Sequence, residues 1–116
     1  MKLAVSYTKE NNEIFFHFGK TEDFKIYTIE DGKVTASEIM DVRACAHGTL
    51  PEHLGENCIS TVICGGIGIP MVQKLEDYGI ELFCGITGDA DKAVEAYLAG
   101  ELKSDKGAVH ACHGHG

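Results

Sequence analysis

The chain contains no CxxC pair, since its five cysteines stand at positions 45, 58, 64, 84 and 112. That spacing argues against a thioredoxin-type exchange site, a zinc ribbon and a ferredoxin cluster motif. Basic charge is also scarce. Ten Lys and Arg against eighteen Asp and Glu give a formal charge of −8, which repels phosphate backbones and anionic lipid and so reads against nucleic acid or membrane as partner. No apolar run is long enough to cross a bilayer, and the short one near the N-terminus is too brief for a signal-peptide core, which predicts a cytoplasmic protein. An odd number of cysteines without a secretion signal predicts reduced thiols open to metal or redox chemistry. There is no Ser-His-Asp context, nucleophile elbow, Walker loop or H-E-x-x-H segment, and the carboxylates scatter over polar faces; nothing indicates an enzyme.

What is present predicts one α/β domain. The 116 residues, 44% hydrophobic and 24% charged, match a single globular core. Residues 3–7, 24–29 and 34–40 read as strands, the last two joined by a tight hairpin turn at Asp31-Gly32. The period then changes. Thr49, Pro51 and Glu52 fit a capping box opening a short helix. A buried strand over 59–64 runs through Gly68 and Pro70 into a helix with an apolar stripe of Met71, Val72, Leu75 and Tyr78. A strand over 80–84 precedes a last helix, capped by Asp89, whose stripe is Ala90, Ala93, Val94, Tyr97 and Leu98. Right-handed crossovers make the later strands parallel, and the hairpin adds an antiparallel edge to a mixed sheet. Beyond residue 103 the pattern dissolves, which predicts a flexible Cys/His tail over residues 104–116.

Two apolar strands each run into Cys-Gly, at Cys64-Gly65 and Cys84-Gly85. As parallel neighbours they would emerge at one end of the sheet, where open α/β folds form their crevices. Each thiol suits either a soft ligand site or inert packing. The loop Gly65-Gly66-Ile67-Gly68 fits an anionic ligand held on backbone N–H groups, or simply a tight strand-to-helix turn; Met71 takes the place of the third glycine of a dinucleotide fingerprint. Cys45 and His47 place a thiol and an imidazole in one loop, and His17 sits between two phenylalanines. His110, Cys112, His113 and His115 bring three imidazoles and a thiol into the tail, a set that meets Cu, Ni, Zn or a cluster edge, or else binds metal only adventitiously.

With these residues in view, the chain resembles the dinitrogenase iron–molybdenum cofactor-binding family, which includes the NifX, NafY and NifB C-terminal domains. The resemblance is carried by His17-Phe18-Gly19 followed by Phe24-Lys25-Ile26-Tyr27, by Cys64 to Gly68, and by the segment 93–102, and it spans residues 1–103. It implies a ribonuclease H-like three-layer α/β fold, with a five-stranded mixed sheet of order 3-2-1-4-5, helices on both faces and no nuclease activity. Members bind or carry iron–sulfur-type cofactors or their precursors during metallocluster assembly. His17 matches the histidine of the family's HFG motif, and Gly65, Gly66 and Gly68 match its glycine-rich loop. The added thiols Cys45, Cys64 and Cys84 and the tail suit a general cluster or metal carrier, with assembly or acceptor proteins as partners. A metal-buffering chaperone working through the tail, or a regulatory module without metal, are the other readings. A homodimer bridging one cluster is compatible with few donors per chain.

Overall fold

A turn and a long strand pair set the frame. The computed structural model describes residues 1–45 and 49–105, and 109–110 as backbone. Strand β1 (Lys2–Thr8) occupies the centre of the sheet, with β2 (Glu13–Ile14) paired to its end. A single 3-10 turn (Phe18–Lys20) leads to β3 (Asp23–Glu30) and β4 (Lys33–Asp41). Asp31 and Gly32 take φ of 53° and 74°, the double left-handed turn that matches the twist of the two strands they join. Helix α1 (Leu50–Glu56), β5 (Ile59–Ile63), β6 (Ile67–Gly68), α2 (Ile69–Asp77), β7 (Glu81–Phe83) and α3 (Ala90–Leu98) follow. Val109–His110 form β8, an element that the residue pattern of the tail does not announce.

The long strands run in the order β4-β3-β1-β5-β7, antiparallel on the β3 and β4 side and parallel between β1, β5 and β7. The result is a mixed sheet with helices, six strands counting β2. Alternation along β1 divides the core. Ala4 packs with Val62, Cys64 and the α1 and α2 residues Leu54 and Leu75, while Leu3 and Val5 pack with Ile63 and the α3 residues Ala93 and Val94. Helices therefore cover opposite faces. Strand β4 is an edge exposed along nearly its whole length. No described helix is long and apolar enough to cross a membrane.

Two local expectations are corrected. Thr49 precedes α1 with φ −103° and ψ 0° and makes no side-chain cap bond, because that near-helical backbone does not aim its hydroxyl at the first-turn amides as an extended N-cap does. Tyr78, expected on the buried stripe of α2, falls one residue past the helix and is half exposed. Asp89 does cap α3, accepting from Lys92 N–H at 3.1 Å.

A polar clamp ties α3 to the sheet. Asp91 accepts from Lys25 Nζ at 2.9 Å, from Asn12 Nδ2 at 3.1 Å and from the Tyr27 hydroxyl, while Lys25 lies over the rings of Tyr7 and Tyr27. The Tyr27 hydrogen bond, followed by that from Lys25, holds the Asp91 carboxyl below the usual carboxylate range. A depressed folded value means stability that is present above the unfolded pKa and lost as pH falls through the folded one. Asp91→Asn is expected to cost about 1 kcal/mol near neutral pH, less than a buried charged bond because Asp91 stands half in water. Thermal unfolding against pH checks it: the gap between variant and parent should close in acid below pH ~4.

Candidate functional site

The His17 segment and the glycine loop, remote in sequence, form one backbone unit. His17 pairs with Gly66 in a parallel bridge; Gly66 N–H donates to Phe16 O at 2.6 Å and Phe18 N–H to Gly66 O at 2.8 Å. Gly65 makes this approach possible. A Cβ there would lie 2.4 Å from Phe16 O and 2.7 Å from its carbonyl carbon, inside any tolerable contact. Phe18 anchors the unit from below, wholly buried with its ring edge-on to Phe24. His17, half-buried, caps the 3-10 turn: its Nδ1 accepts from Gly19 N–H at 3.1 Å, which places the proton of a neutral ring on Nε2. Phe16, beside it, is 66% exposed, a large aromatic on the rim.

A cavity of about 330 Å³ opens next to this unit, lined by Gly19, Lys20, Thr21, Val42, Arg43 and Cys45 among others. Cys45 is half-buried there and its amide donates to Val42 O at 3.0 Å. Arg43 is shared among carboxylates: it bonds Asp41 and lies 3.5 Å from Glu22 and 3.7 Å from Asp23. Asp23 is buried, and its Oδ1 has no hydrogen-bond partner.

Cys64 and Cys84 do end neighbouring parallel strands, for Ile63 pairs with Phe83 and Cys64 N–H donates to Phe83 O at 2.9 Å. Only Cys84 borders a cavity; Cys64 does not. Cys64 is wholly buried in the core that α1 and α2 cover, and burial, then the nearby Cys84, pushes its thiol well above the ordinary range. The thiolate that binds metal is thus disfavoured. Cys84, 2% exposed, lies under the segment that follows α3: its thiol donates to Asp105 O at 3.3 Å and touches Ser104 Oγ at 3.3 Å, and Asp105 N–H returns a bond to Cys84 O. A second cavity of about 610 Å³, lined by Val72, Ile80, Leu82, Cys84 and Ser104, lies on this side, away from His17.

The structure therefore gathers His17, Gly65, Gly66 and Gly68 into one unit with Cys45 at the neighbouring cavity, and assigns Cys64 to packing. The backbone of His110 runs beside Gly68 through the β6 and β8 pairing. His47, Cys112, His113 and His115 lie outside the described residues. Among the described residues no group of three or more His, Cys, Asp or Glu stands together as a metal cage. Sequence reasoning missed Phe16, Lys20 and Ser104. An aromatic next to a histidine and a lysine after Gly19 carry no periodic signal, and Ser104 meets Cys84 only through the turn after α3.

Comparison with known proteins places this geometry in context. A family described as "dinitrogenase iron-molybdenum cofactor" matches residues 1–100. An uncharacterized protein of Methanocaldococcus jannaschii is 28% identical over 108 residues, covering 89% of this chain and 90% of its own length. The crystal structure of a protein designated PH0822 superposes with a TM-score of 0.82 at 26% identity, covering 93% of this chain and 97% of that one. The apo form of the orange protein from Desulfovibrio gigas superposes with a TM-score of 0.76 at 19% identity, over 90% and 92% of the two chains, a likeness of fold alone.

Proposed function

The chain belongs to the dinitrogenase iron-molybdenum cofactor family, and from that premise we propose that it is a small carrier: it holds an iron–sulfur cluster or an iron–molybdenum-type cofactor as cargo and passes it to acceptor proteins during metallocluster assembly. In this reading it works in the cytoplasm with reduced thiols and makes or breaks no substrate bond of its own. Its architecture is the ribonuclease H-like three-layer type, used as a scaffold.

The single observation that supports the reading most is the welding of the His17 segment to the glycine loop beside a cavity that carries Cys45. A thiol and an imidazole are the donor types that iron–sulfur cargo takes. Cys45 is the half-buried thiol on that cavity, and His47, two residues on in the sequence, is kept as a further candidate donor. His17 stands on this unit with its Nδ1 accepting from Gly19 N–H, which fixes the ring at the edge of the glycine loop. Lys20 adds positive charge near an anionic cargo, and exposed Phe16 gives the acceptor an apolar contact. Cys64 and Cys84 stiffen the sheet end beneath. Few donors suit a carrier, since a closed cage would release its cargo slowly.

Anaerobic reconstitution with iron and sulfide tests the proposal. The parent chain is expected to show a charge-transfer band with stoichiometric iron. Cys45→Ser and His17→Gln should each weaken retention about tenfold or more, a loss of at least ~1.4 kcal/mol. Cys64→Ser should leave retention unchanged. A parent chain that takes up no iron sinks the reading.

A further inference from the structure

The sheet has two edges, and the chain treats them differently. On the β7 side the segment after α3 turns back onto the strand end, where Cys84 N–H donates to Ser104 Oγ at 2.9 Å and Asp105 N–H to Cys84 O at 2.8 Å. On the β4 side residues 33–39 are all exposed, and no proline interrupts the row of backbone groups turned away from β3. Such an edge is a template for another strand.

The pairing of β3 with β4 shows which strand fits there. Ala36 stands opposite Thr28 and Val34 opposite Ile29, so Thr35 is an extra residue, a bulge. A bulge ordinarily blunts an edge. Here it also changes which residues share a face. Directly paired residues face the same way, and Tyr27 and Ile29 belong to the core on the α3 side. Val34, Ser37 and Ile39, paired with Ile29, Tyr27 and Lys25, therefore lie on that side. Val34 and Ile39 are each 43% exposed, large apolar side chains on an open edge. An odd number of residues separates them, which in a regular strand would put them on opposite faces. With the bulge, each stands two pairing steps from Ser37.

We propose that β4 pairs antiparallel with β4 of a second copy of this chain, about a two-fold axis through Ser37. That register sets Val34 against the second copy's Ile39, and Ile39 against its Val34, on the α3 side. On the other face Ala36 meets the second copy's Glu38, and Lys33 meets its Met40 with its Glu38 on the diagonal, within reach of a lysine. The two Glu38 side chains are diagonal neighbours too, and each is flanked by a Lys33. Apolar residues thus meet apolar ones and each lysine has a carboxylate, the self-complementarity that a two-fold contact requires. The formal charge of −8 on each copy opposes association, so the pair is weak and reversible. The inference is independent of the carrier reading: a two-fold normal to the sheet sends the His17 ends of the two copies in opposite directions, and each keeps its own site.

The test is sedimentation velocity of the full chain over a concentration series, together with cross-linking. The parent is expected to pass reversibly from monomer to dimer as concentration rises. Ile39→Lys, which sets a charge against the second copy's Val34, should raise the dissociation constant at least tenfold while circular dichroism reports an unchanged fold. Register is read by mixing. In a background carrying Cys45→Ser, Cys58→Ser and Cys112→Ser, Val34→Cys chains and Ile39→Cys chains should form a disulfide with each other in air. Opposite Cα atoms in an antiparallel pair lie about 4.5–5.5 Å apart, inside the range a disulfide spans. Neither variant should link to itself, since its identical positions would be roughly 14 Å apart. A parent that stays monomeric at millimolar concentration, a dimer indifferent to Ile39→Lys, or Val34→Cys chains that link to themselves as readily as to Ile39→Cys chains each overturn the proposal.

Discussion

Gly65→Ala is expected to destabilise the protein by about 3 kcal/mol and to abolish cargo loading together. The added methyl would sit 2.4 Å from Phe16 O and under 3 Å from the Phe16 carbonyl carbon and Cα, all backbone atoms, so it cannot be accommodated by turning a side chain. Something must move, and what moves is the pairing of Phe16 and Phe18 with Gly66 that positions His17. Overpacking of a rigid contact costs roughly 1–3 kcal/mol, and loss of the associated backbone bonds takes the figure to its upper end. Gly55→Ala provides the control. There the methyl would meet the Tyr78 ring at 3.4 Å, ordinary contact, and alanine improves helix propensity by about 0.5–1 kcal/mol. Urea unfolding of the two variants should move in opposite directions. Equal midpoints would show that the close approach of Phe16 carries no weight.

Phe18→Ala is the second large effect. Phe18 is wholly buried, its ring 5.6 Å from that of Phe24 and nearly perpendicular to it, and its amide bonds Gly66 O. Truncation of a buried phenylalanine costs about 3–5 kcal/mol, a large share of the roughly 5–15 kcal/mol that holds a domain of this kind together. The residues on either side of it are His17 and Gly19, so the cavity should loosen the 3-10 turn as well as the core. Phe18→Leu keeps most of the volume and is expected to recover more than half of the lost stability and most of the cargo retention. Urea midpoints with unchanged m-values check the first statement. A truncation that costs less than about 1 kcal/mol would mean that the turn is not seated on the core as the packing indicates.

Both predictions concern a junction that the residue pattern did not reveal. The HFG and glycine-loop motifs are each visible in the chain, but that one threads its carbonyl onto the other's amide is a tertiary fact. The sequence offers Gly65 as room for a ligand, or as a tight turn, and the structure makes it room for Phe16. Elsewhere the reading transferred well. Asp31-Gly32 predicted its hairpin and Asp89 its cap, because both act through atoms two or three residues away. The capping box at Thr49 failed for the complementary reason: residue types permit a cap, and the backbone angles at Thr49 decide whether it forms.

Residue order alone determined the five long strands, the three helices, the mixed sheet and the family, since periodicity and turn chemistry are properties of neighbouring residues, whereas the short strands β2, β6 and β8 arise from pairing with other segments. Which sulfur can meet a ligand was decided only in three dimensions. Cys45 and Cys64 are both candidate donors along the chain, yet one borders a cavity and the other is sealed in the core that α1 and α2 cover. A thiol's chemistry follows from the water and charge around it, and those are supplied by segments that the chain brings together only when it folds.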